Sequence, residues 1–583
     1  MKRLLCILVM SCGMLSVING QTTVQPFALS DVRLLPSRFL GNMQRDSMWI
    51  ASIPVNRLLH SFRNTAGVFS GKEGGYDDGL KLGGWESLDC DLRGHITGHL
   101  LSAMANLQMK QKADSLVQGL AEVQQQYGSG YLSAFGEGLI DRNLAGKGGV
   151  WAPWYTLHKI LQGLIDQYTM CGNEKALEVA KGMGDWAYNK TKNLTDEQRQ
   201  KAIRNEFGGF NEAMYNLYAI TKEDRYLKVA RFFYHNDKID PLKQGNNDLG
   251  TNHANTFIPK LLGECKNYEI FGAEDSRRAA ENLFWTLAND HAFVTGEVSD
   301  KEHLFKPETQ SKHLTGYDGE NCCTYNLLKL ADRLFTYQPD SKIADYYERA
   351  LYNHILGQQD TLTSMVCYFT PLMTGGYRLY STRDSSFWCC VGSGFESHAK
   401  YQSSIYFHHD KELYVNLFIP SELNWNGTII RQETTFPESN KTTITASSKI
   451  ALKVRYPYWA TYMKVNGKKV KADKDGYVSV KAIKKAEIEF GMNLHEESTK
   501  DDPSRVALLY GPIVLGGRLA DVTHPFSNPT KHNDYYTFDY GKHADVKLGK
   551  VKHLGGLNFE SNGIQIQPFY DLQHCRYVVY WKK

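Results

Sequence analysis

Beyond its N-terminus, the sequence lacks any apolar run that reaches the roughly 20 residues needed for a transmembrane helix. It also lacks a large excess of charge of either sign. The net charge of +4 over 583 residues is too small to indicate a nucleic-acid or anionic-membrane partner. What remains is a globular composition, 42% hydrophobic and 22% charged, in a chain long enough for two or more domains.

The N-terminus has the pattern of an export signal. Lys2 and Arg3 precede the apolar run Leu4–Met10, which is too short to span a membrane in the mature protein. We expect residues 1–20 to be a cleaved signal peptide and the protein to be periplasmic or at the cell surface of a bacterium. Lipidation of Cys12 is a weaker alternative, because the residues before it match a lipoprotein signal poorly.

Residues 41–405 have the pattern of a helical array. Apolar residues recur at helical spacing, and the segment Gly172–Ala180 is repeated with changes at Thr221–Ala230, about fifty residues later. Such a period is typical of stacked helical hairpins. About twelve helices fit in this region, which suits a closed ring of six pairs, an (α/α)6 barrel. An open solenoid is the alternative.

After the helical region, short stretches alternate apolar and polar residues between turn signals, for example Glu412–Phe418 and Ile450–Tyr456. This pattern predicts an antiparallel β-sandwich over residues 406–583. Residues 21–40 include a strand-like segment, Phe27–Leu34, which we expect to join that sandwich.

The sequence also lacks an even number of cysteines after the signal peptide, since nine of eleven remain and at least one is not in a disulfide. Two adjacent pairs stand out, Cys322-Cys323 and Cys389-Cys390, and Glu320 precedes the first pair. One carboxylate and three thiolates, from Glu320, Cys322, Cys389 and Cys390, would fill the tetrahedral shell of Zn²⁺. Cys323 would point elsewhere on a helix.

Two alternatives to a catalytic zinc site are a disulfide that joins the cysteine pairs and a purely structural zinc. The long irregular segments around the ligands favour catalysis, because long loops in a compact domain usually carry function. A thiolate on a metal stays deprotonated at neutral pH and is a nucleophile. The spacing does not decide whether Cys389 or Cys390 would attack a substrate.

Acids and histidines provide further candidates. The loop Thr295–Phe305 carries three carboxyl groups that could donate and accept protons, Glu297, Asp300 and Glu302. His95 and His99 have the i, i+4 spacing of helical metal ligands, although such pairs are often ordinary packing. His158 and His253 lie near expected helix starts, where a neutral imidazole can both donate to and accept from a sugar hydroxyl.

These motifs carry a resemblance to a known family. Gly319–Asn326 followed by Phe387–Gly392 resembles the signature of the zinc-dependent β-L-arabinofuranosidases, glycoside hydrolase families 127 and 146. The supporting segments are Gly94–Ala103, Thr295–Phe305, Tyr368–Leu372, Leu509–Pro512 and Arg576–Trp581. The resemblance therefore extends over nearly the whole mature chain. It implies an (α/α)6 barrel with β-sandwich parts and retaining hydrolysis.

The resemblance also implies roles for individual residues. Cys389 is similar to the family's nucleophile, which is also a zinc ligand, and Glu302 is similar to its acid/base. Glu320, Cys322 and Cys390 complete the implied metal shell, and the implied substrate contacts are Gln44, His158, His253 and Tyr368. This sequence has Thr295-Gly296-Glu297 where the family pattern has a second glycine, so Glu297 is a rival to Glu302.

The sequence thus predicts an exported exo-glycosidase that hydrolyses terminal β-L-arabinofuranosyl residues of plant oligosaccharides or polysaccharides. One alternative keeps the same fold and hydrolyses another pectic sugar. A second is a non-catalytic carbohydrate-binding protein whose zinc braces two loops. A third is a carboxylate-only hydrolase that uses Asp318 or Glu320.

Overall fold

The structure is a computed structural model that describes residues 22–70, 81–531, 533–535 and 544–583. The predicted signal peptide and Cys12 lie outside these described residues. Within them, no helix is both long enough and apolar enough to span a bilayer.

The N-terminal two-thirds of the chain is helical. Its α-helices are α1 (Arg38–Ser52), α2 (Val55–Ala66), α3 (His95–Asn106), α4 (Lys110–Tyr127), α5 (Gly138–Leu144), α6 (Pro153–Cys171), α7 (Glu174–Thr191), α8 (Asp196–Ile203), α9 (Phe210–Thr221), α10 (Asp224–Phe232), α11 (Asn236–Lys243), α12 (Ala254–Phe271), α13 (Glu274–Thr286), α14 (Asn321–Tyr337), α15 (Ser341–Ala350), α16 (Leu356–Gln358) and α17 (Cys389–His398).

Six of these helices form a closed inner ring. The order of contacts is α3, α6, α9, α12, α14 and α17, and α17 returns to contact α3. Outer helices such as α4, α7, α10 and α13 alternate with them along the chain and pack outside. The predicted (α/α)6 barrel is confirmed, and the alternative of an open solenoid is wrong, because the sixth inner helix contacts the first.

The inner helices differ from the outer ones in how they are buried. Every residue of α3 from His95 to Ala105 is buried, whereas α4 buries one face only. A helix surrounded by protein on all sides has no solvent-facing stripe. Because inner and outer helices alternate in direction, the six inner helices all start at the same end of the barrel. The loops before α12, α14 and α17 therefore meet there.

The rest of the chain forms two sheets. The first contains β1 (Gln25–Pro26), β2 (Val32–Leu34), β3 (Tyr406–His409), β4 (Glu412–Val415), β5 (Ser421–Trp425), β6 (Thr428–Thr434), β7 (Lys441–Arg455), β8 (Met463–Val465), β9 (Lys468–Lys469) and β10 (Tyr477–Phe490). The second contains β11 (Leu494–Ser498), β12 (Arg505–Tyr510), β13 (Ile513–Asp521), β14 (Lys552–Gly555), β15 (Asn558–Ser561), β16 (Ile564–Pro568), β17 (Cys575–Val578) and β18 (Tyr580–Lys582).

The strand pairing differs from the predicted antiparallel sandwich at one position. β4 and β7 pair in parallel, with Leu413 opposite Leu452, whereas the other paired strands are antiparallel. In the N-terminal segment, β1 pairs with β3 and β2 pairs with β5. Helix α17 ends at His398 and β3 begins at Tyr406.

A buried ion pair links the first sheet to the barrel. The guanidinium of Arg455, at the end of β7, donates to the carboxylates of Asp345 and Glu348 on α15, and its Nε donates to the Asn416 carbonyl at 2.6 Å. The indole of Trp459 also donates to Glu348, at 2.8 Å. These side chains are buried, so each charge depends on its partner for stabilisation.

Candidate active site and metal centre

Four potential metal ligands meet where two inner helices begin. Glu320 immediately precedes α14 and Cys322 lies in its first turn, while Cys389 and Cys390 are the first two residues of α17. One ligand atom from each residue lies within 4.8 Å of the others, and all four residues are buried. The Sγ atoms of Cys322 and Cys390 are 3.4 Å apart. The positive ends of two helix dipoles therefore point at this cluster.

The chemistry of this cluster fits a bound cation. Burial raises the pKa of Cys389 and of Cys390, and burial together with the Cys322 thiolate raises the pKa of Glu320. Without a positive charge, these groups cannot all ionise at neutral pH. The Oε1 atom of Glu320 is buried and has no hydrogen-bond partner in the described residues. A divalent cation would satisfy both the unpaired oxygen and the thiolates.

Cys323 is not part of the ligand set. Its thiol donates to Oε2 of Glu320 at 3.0 Å and lies 3.7 Å from the Ser299 hydroxyl. Cys323 therefore holds Glu320 in place from behind, which the sequence did not indicate. All nine cysteines in the described residues are free thiols, so the alternative of a disulfide between the two pairs does not occur there.

Glu302 reaches the cluster from a tight turn. Lys301 and Glu302 both have positive φ angles, +51° and +66°, and the N–H of His303 donates to the Asp300 carbonyl at 3.0 Å. Two positive φ angles in succession are the geometry of a type I′ turn, which is uncommon for residues other than glycine, asparagine and aspartate. Strain of this kind concentrates at functional sites.

Tyr368 connects Glu302 to Cys389. Its hydroxyl donates to Oε1 of Glu302, and the Cys389 thiol donates to the Tyr368 oxygen at 3.3 Å. The family resemblance implied that these three residues share a site, although they are separated by up to 87 positions, but not that Tyr368 bonds to the other two. Together they form a continuous hydrogen-bonded path from a carboxyl group to a cluster thiol.

His253 approaches the same carboxylate from the start of α12. Its Nδ1 accepts a hydrogen bond from the Thr256 N–H at 3.4 Å, which leaves the proton on Nε2 in the neutral ring. This Nε2 atom lies 3.7 Å from Oε2 of Glu302. His253 is therefore placed as a donor beside Glu302.

Two of the other sequence candidates have different surroundings. His158 is buried on α6, and its Nδ1 accepts from the Gly209 N–H at 3.0 Å; burial and then Lys159 lower the pKa of His158 well below its usual range. Gln44 is exposed on α1. The roles predicted for His158 and Gln44 stay predictions.

The rival carboxyl groups are buried behind the site. Glu297 is fully buried, and its Oε2 lies against Gly319, where a Cβ atom would come within 2.4 Å of it. Asp318 accepts backbone hydrogen bonds from Thr315 at 2.7 Å and Leu372 at 3.0 Å. Among these rivals, Glu302 is the acid that contacts the Cys389 path and keeps 26% of its side chain exposed.

The His95 and His99 pair does not ligate a metal together. The His95 Nε2 atom lies 3.2 Å from the Phe387 carbonyl, while His99 lies between Glu396 (2.6 Å from Nδ1) and the Tyr155 hydroxyl (3.1 Å from Nε2). Their i, i+4 spacing places both rings in a polar network inside the barrel. These protein contacts favour packing, the alternative to a metal role.

Comparison with known proteins identifies the family. The model of the glycoside hydrolase family 127 (GH127) β-L-arabinofuranosidase catalytic domain matches residues 31–403, and the model of the family's middle domain matches residues 412–494. A curated relative, the non-reducing end β-L-arabinofuranosidase of Bifidobacterium longum, is 22% identical over 500 residues, which cover 72% of this chain and 74% of the relative.

Solved structures share the fold over nearly the full length. A GH127 β-arabinofuranosidase has a TM-score of 0.70 at 18% identity and covers 97% of this chain and 98% of its own. A GH127 β-L-arabinofuranosidase from Geobacillus stearothermophilus T6 has a TM-score of 0.67 at 16% identity and covers 94% and 99%. The chain is a glycoside hydrolase and belongs to the GH127 β-L-arabinofuranosidase family.

Proposed function

We propose that this protein is an exported, zinc-dependent exo-glycosidase that releases terminal β-L-arabinofuranosyl residues from plant glycans with retention of configuration. Cys389 is the proposed nucleophile and Glu302 the proposed acid/base. The observation that carries the proposal is the path Glu302–Tyr368–Cys389, which joins a partly exposed carboxyl to a thiol in a cation-binding cluster.

Zn²⁺ is the proposed cation because three thiolates and one carboxylate are donors that it binds in tetrahedral geometry. Glu320, Cys322, Cys389 and Cys390 would hold it. When bound, it supplies the positive charge that keeps buried thiols ionised at neutral pH.

Cys389 is a better candidate nucleophile than Cys390 for two reasons. It retains 5% exposure, whereas Cys390 is completely buried, and its thiol is the one that contacts Tyr368. A substrate carbon must reach the attacking sulfur, so the buried neighbour is the weaker choice.

The proposed reaction has two displacements. The Sγ of Cys389 attacks the anomeric carbon while the glycosidic C–O bond breaks, and Glu302 gives its proton to the departing oxygen. A water molecule then transfers a proton to Glu302 as its oxygen replaces the sulfur on that carbon, which restores the thiolate. Two inversions give net retention.

The remaining side chains position the sugar in this proposal. His253 donates through Nε2 near Glu302, and the Tyr368 hydroxyl lies between acid and nucleophile. His158 and Gln44 are proposed as further hydroxyl contacts from the family resemblance. Arabinofuranoside-containing plant oligosaccharides or polysaccharides are the proposed substrates.

Export to the periplasm or cell surface is proposed from the N-terminal sequence. Lys2 and Arg3 followed by the apolar run Leu4–Met10 support a signal peptide. Detection of a mature N-terminus near residue 21 in the periplasmic fraction would test this proposal, and an uncleaved cytoplasmic chain would contradict it.

A Cys389→Ser variant tests the proposed function. We expect its kcat/KM on an aryl β-L-arabinofuranoside to fall by at least about 10³-fold, since removal of a nucleophile abolishes the covalent route. Cys171→Ser is the matched control, because Cys171 lies at the far end of α6 and should leave activity unchanged. Zinc content, measured by plasma mass spectrometry, should fall when a cluster residue is replaced. A chelator should lower the activity of the wild-type enzyme.

The same assay separates the alternatives. Turnover retained by Cys389→Ser would indicate a structural metal, and activity unaffected by a chelator would support carboxylate-only hydrolysis. Aryl glycosides of other pectic sugars, assayed in parallel, identify the sugar; faster hydrolysis of one of them would overturn the arabinofuranoside assignment.

A further inference from the structure

A groove on the outer wall of the barrel has no part in the proposed reaction. It consists of two adjoining cavities, of about 380 Å³ and about 390 Å³, whose walls share Trp285, Asn289 and Lys342. The first cavity also reaches residues 497–500 of the second sheet, and the second cavity reaches the C-terminal end of α14. Ligand sites are commonly clefts of roughly 300–1,000 Å³ at the junction of domains. The groove has the size and the position of such a site.

The groove runs between α13 and α15. Trp285 of α13 lines one side, and Lys342 of α15 lines the other. The second cavity contains Gln338, directly after α14, and the first contains Val294, eight residues before Glu302. A stretch of eight residues spans at most about 30 Å, so the first cavity lies within reach of the segment that carries the proposed acid/base.

The first cavity has a fixed wall where the barrel meets the second sheet. The N–H of Val294 donates to the Tyr580 hydroxyl at 2.8 Å, and the Tyr346 hydroxyl donates to the Gly296 carbonyl at 2.6 Å. Strand β18 and helix α15 thus hold the segment that follows α13. The cavity is therefore formed by the protein alone, as is usual for ligand sites.

Several polar side chains of the groove have no protein partner. The indole N–H of Trp285, the amide of Asn289 and the ammonium group of Lys342 make no hydrogen bond or ion pair with a described residue. Gln310 is 3% exposed, and its Nε2 donates to the Asp290 carbonyl at 3.1 Å, but its buried Oε1 has no partner among the described residues. Such an oxygen costs about 1–3 kcal/mol, which a donating ligand hydroxyl would offset.

The charges that line the groove balance one another, which excludes a polyanion or a polycation as the favoured ligand. Lys342 and Asp340, two positions apart, have opposite signs. The other charged side chains of the lining are in ion pairs: Arg349 with Glu497, Lys500 with Asp290, Asp345 with Arg455, and Glu281 with Arg277. A neutral ligand rich in hydroxyl groups suits unpartnered donors and acceptors in a lining without net charge.

Trp285 provides an apolar surface where the two cavities join. Its side chain is partly exposed, and its ring packs edge-on against the buried Phe284 ring at 5.0 Å. A sugar ring has a C–H face with partial positive charge, which packs on the electron-rich face of an aromatic ring, and hydroxyl groups around its edge. Two cavities that meet at one indole fit a chain of sugar units better than a single unit.

We propose that this groove, with Trp285, Asn289, Lys342 and Gln310, is a second carbohydrate-binding site, which binds a neutral segment of the plant polysaccharide and is separate from the site of cleavage. The inference rests on the proposed function for its class of ligand. Binding at the groove keeps the polysaccharide on the enzyme between successive cleavages.

Sugar chains without a terminal β-L-arabinofuranosyl unit test the proposal directly. The probes are linear α-1,5-linked arabinopentaose and β-1,4-linked galactopentaose, titrated into wild type and variants by calorimetry. We expect wild type to bind at least one probe and Trp285→Ala to bind it at least about tenfold more weakly, because the stacking surface is lost. Absence of binding to wild type, or tighter binding of a galacturonic acid pentamer, would overturn the proposed site for a neutral chain.

A second variant and a control guard against misfolding. Asn289→Ala/Lys342→Ala changes two exposed side chains and should also weaken binding of the probe. Tyr188→Ala is the control, because Tyr188 is a partly exposed aromatic residue on another outer helix, α7, and lines neither cavity. Unchanged affinity in both groove variants, or an equal loss in Tyr188→Ala, would overturn the site.

Activity measurements separate this inference from the proposed function. In Trp285→Ala, we expect kcat/KM on an arabinofuranosylated polysaccharide, divided by kcat/KM on an aryl β-L-arabinofuranoside, to fall at least about threefold, because attachment at two sites is lost. An equal loss on both substrates would contradict a separate site. If wild type hydrolysed neither substrate but still bound a probe through Trp285, the proposed function would fail and the groove would stand.

Discussion

At the scale of single residues, the environment of each carboxyl group distinguishes Glu302, the acid that the resemblance implied, from its rival Glu297. Glu302 is displayed by a strained turn and bonded to Tyr368, whereas Glu297 is enclosed by Gly319 and His354. His354 Nε2 lies 3.8 Å from Glu297, too far for a hydrogen bond. Burial raises the pKa of Glu297 well above its usual range, which favours its protonated form.

A pair of amide substitutions tests this assignment. Glu302→Gln removes the proton donor, and we expect kcat/KM on an alkyl glycoside to fall by about 10²–10⁴-fold. Glu297→Gln replaces a buried carboxyl that lies behind the site with a group of similar shape, and should change kcat/KM by less than about threefold. Steady-state kinetics on both purified variants would show the assignment to be reversed if Glu297→Gln were the inactive one.

The metal ligands could be predicted from sequence because each pair lies within one short motif at a helix start. Glu320 and Cys322 are two positions apart, and Cys389 and Cys390 are adjacent. Tyr368 was linked to the site only by the family resemblance, since its hydrogen bonds to Glu302 and Cys389, 66 and 21 positions away, leave no local pattern. The resemblance named Glu302 and kept Glu297 as its rival, and the turn at Lys301 and Glu302 that separates the two is not encoded by their flanking residues.

At the scale of secondary-structure elements, the ring depends on close approach of neighbouring inner helices. A Cβ atom added to Gly98 on α3 would come within 2.2 Å of the Lys159 backbone on α6, and one added to Gly163 would come within 2.5 Å of the Gly98 carbonyl. Lys159 directly follows His158, so the α3–α6 contact also fixes the start of α6 near the site. Glycine at positions 98 and 163 therefore allows the two helices to approach closely, despite its lower helix propensity.

Substituting Gly98 with alanine should therefore destabilise the barrel. We expect the free energy of unfolding to fall by about 1–3 kcal/mol through overpacking, seen as a lower denaturation midpoint in guanidinium. Gly41→Ala in α1 is the control, because its Cβ would meet only the Arg45 side chain at 3.5 Å. That substitution should raise stability by about 0.5–1 kcal/mol; equal shifts in the two variants would contradict the packing argument.

The sequence predicted the ring better than the sheets. The internal repeat indicates the helix pairs directly, because each copy contains the start of an outer helix. Gly172–Ala180 contains the start of α7, and Thr221–Ala230 contains the start of α10. Strand alternation reports which face is buried but not which strand is the neighbour. The parallel pairing of β4 with β7 was therefore not predictable from local pattern.

At the scale of the whole molecule, charged contacts attach both sheets to the barrel, one of them buried and the other partly exposed. Arg455 is fully buried between Asp345 and Glu348, and Arg349 donates to Glu497 of β11 at 2.7 Å. The first contact joins α15 to the first sheet and the second joins α15 to the second sheet. Helix α15 thus connects all three parts of the molecule.

Removing Arg455 should loosen the first sheet from the barrel. Arg455→Leu leaves the Glu348 carboxylate buried without its partner, and we expect a loss of about 3–5 kcal/mol in the free energy of unfolding. Arg33→Leu is the control, since the Arg33–Glu422 pair is exposed and should contribute less than about 1 kcal/mol. Calorimetric melting of both variants measures the two losses of stability. Similar melting temperatures in the two variants would contradict the claim that the buried Arg455 pair contributes more than the exposed Arg33 pair.

The most direct test of the account is the identity of the atom that bonds to the sugar during turnover. A 2-fluoro β-L-arabinofuranoside with a good leaving group slows the second displacement, and fragment-ion mass spectrometry of the acid-quenched enzyme then locates the adduct. We predict a glycosyl group on the sulfur of Cys389 and none on Cys390. An adduct on Glu320, Asp318 or any other carboxylate would contradict the cysteine nucleophile.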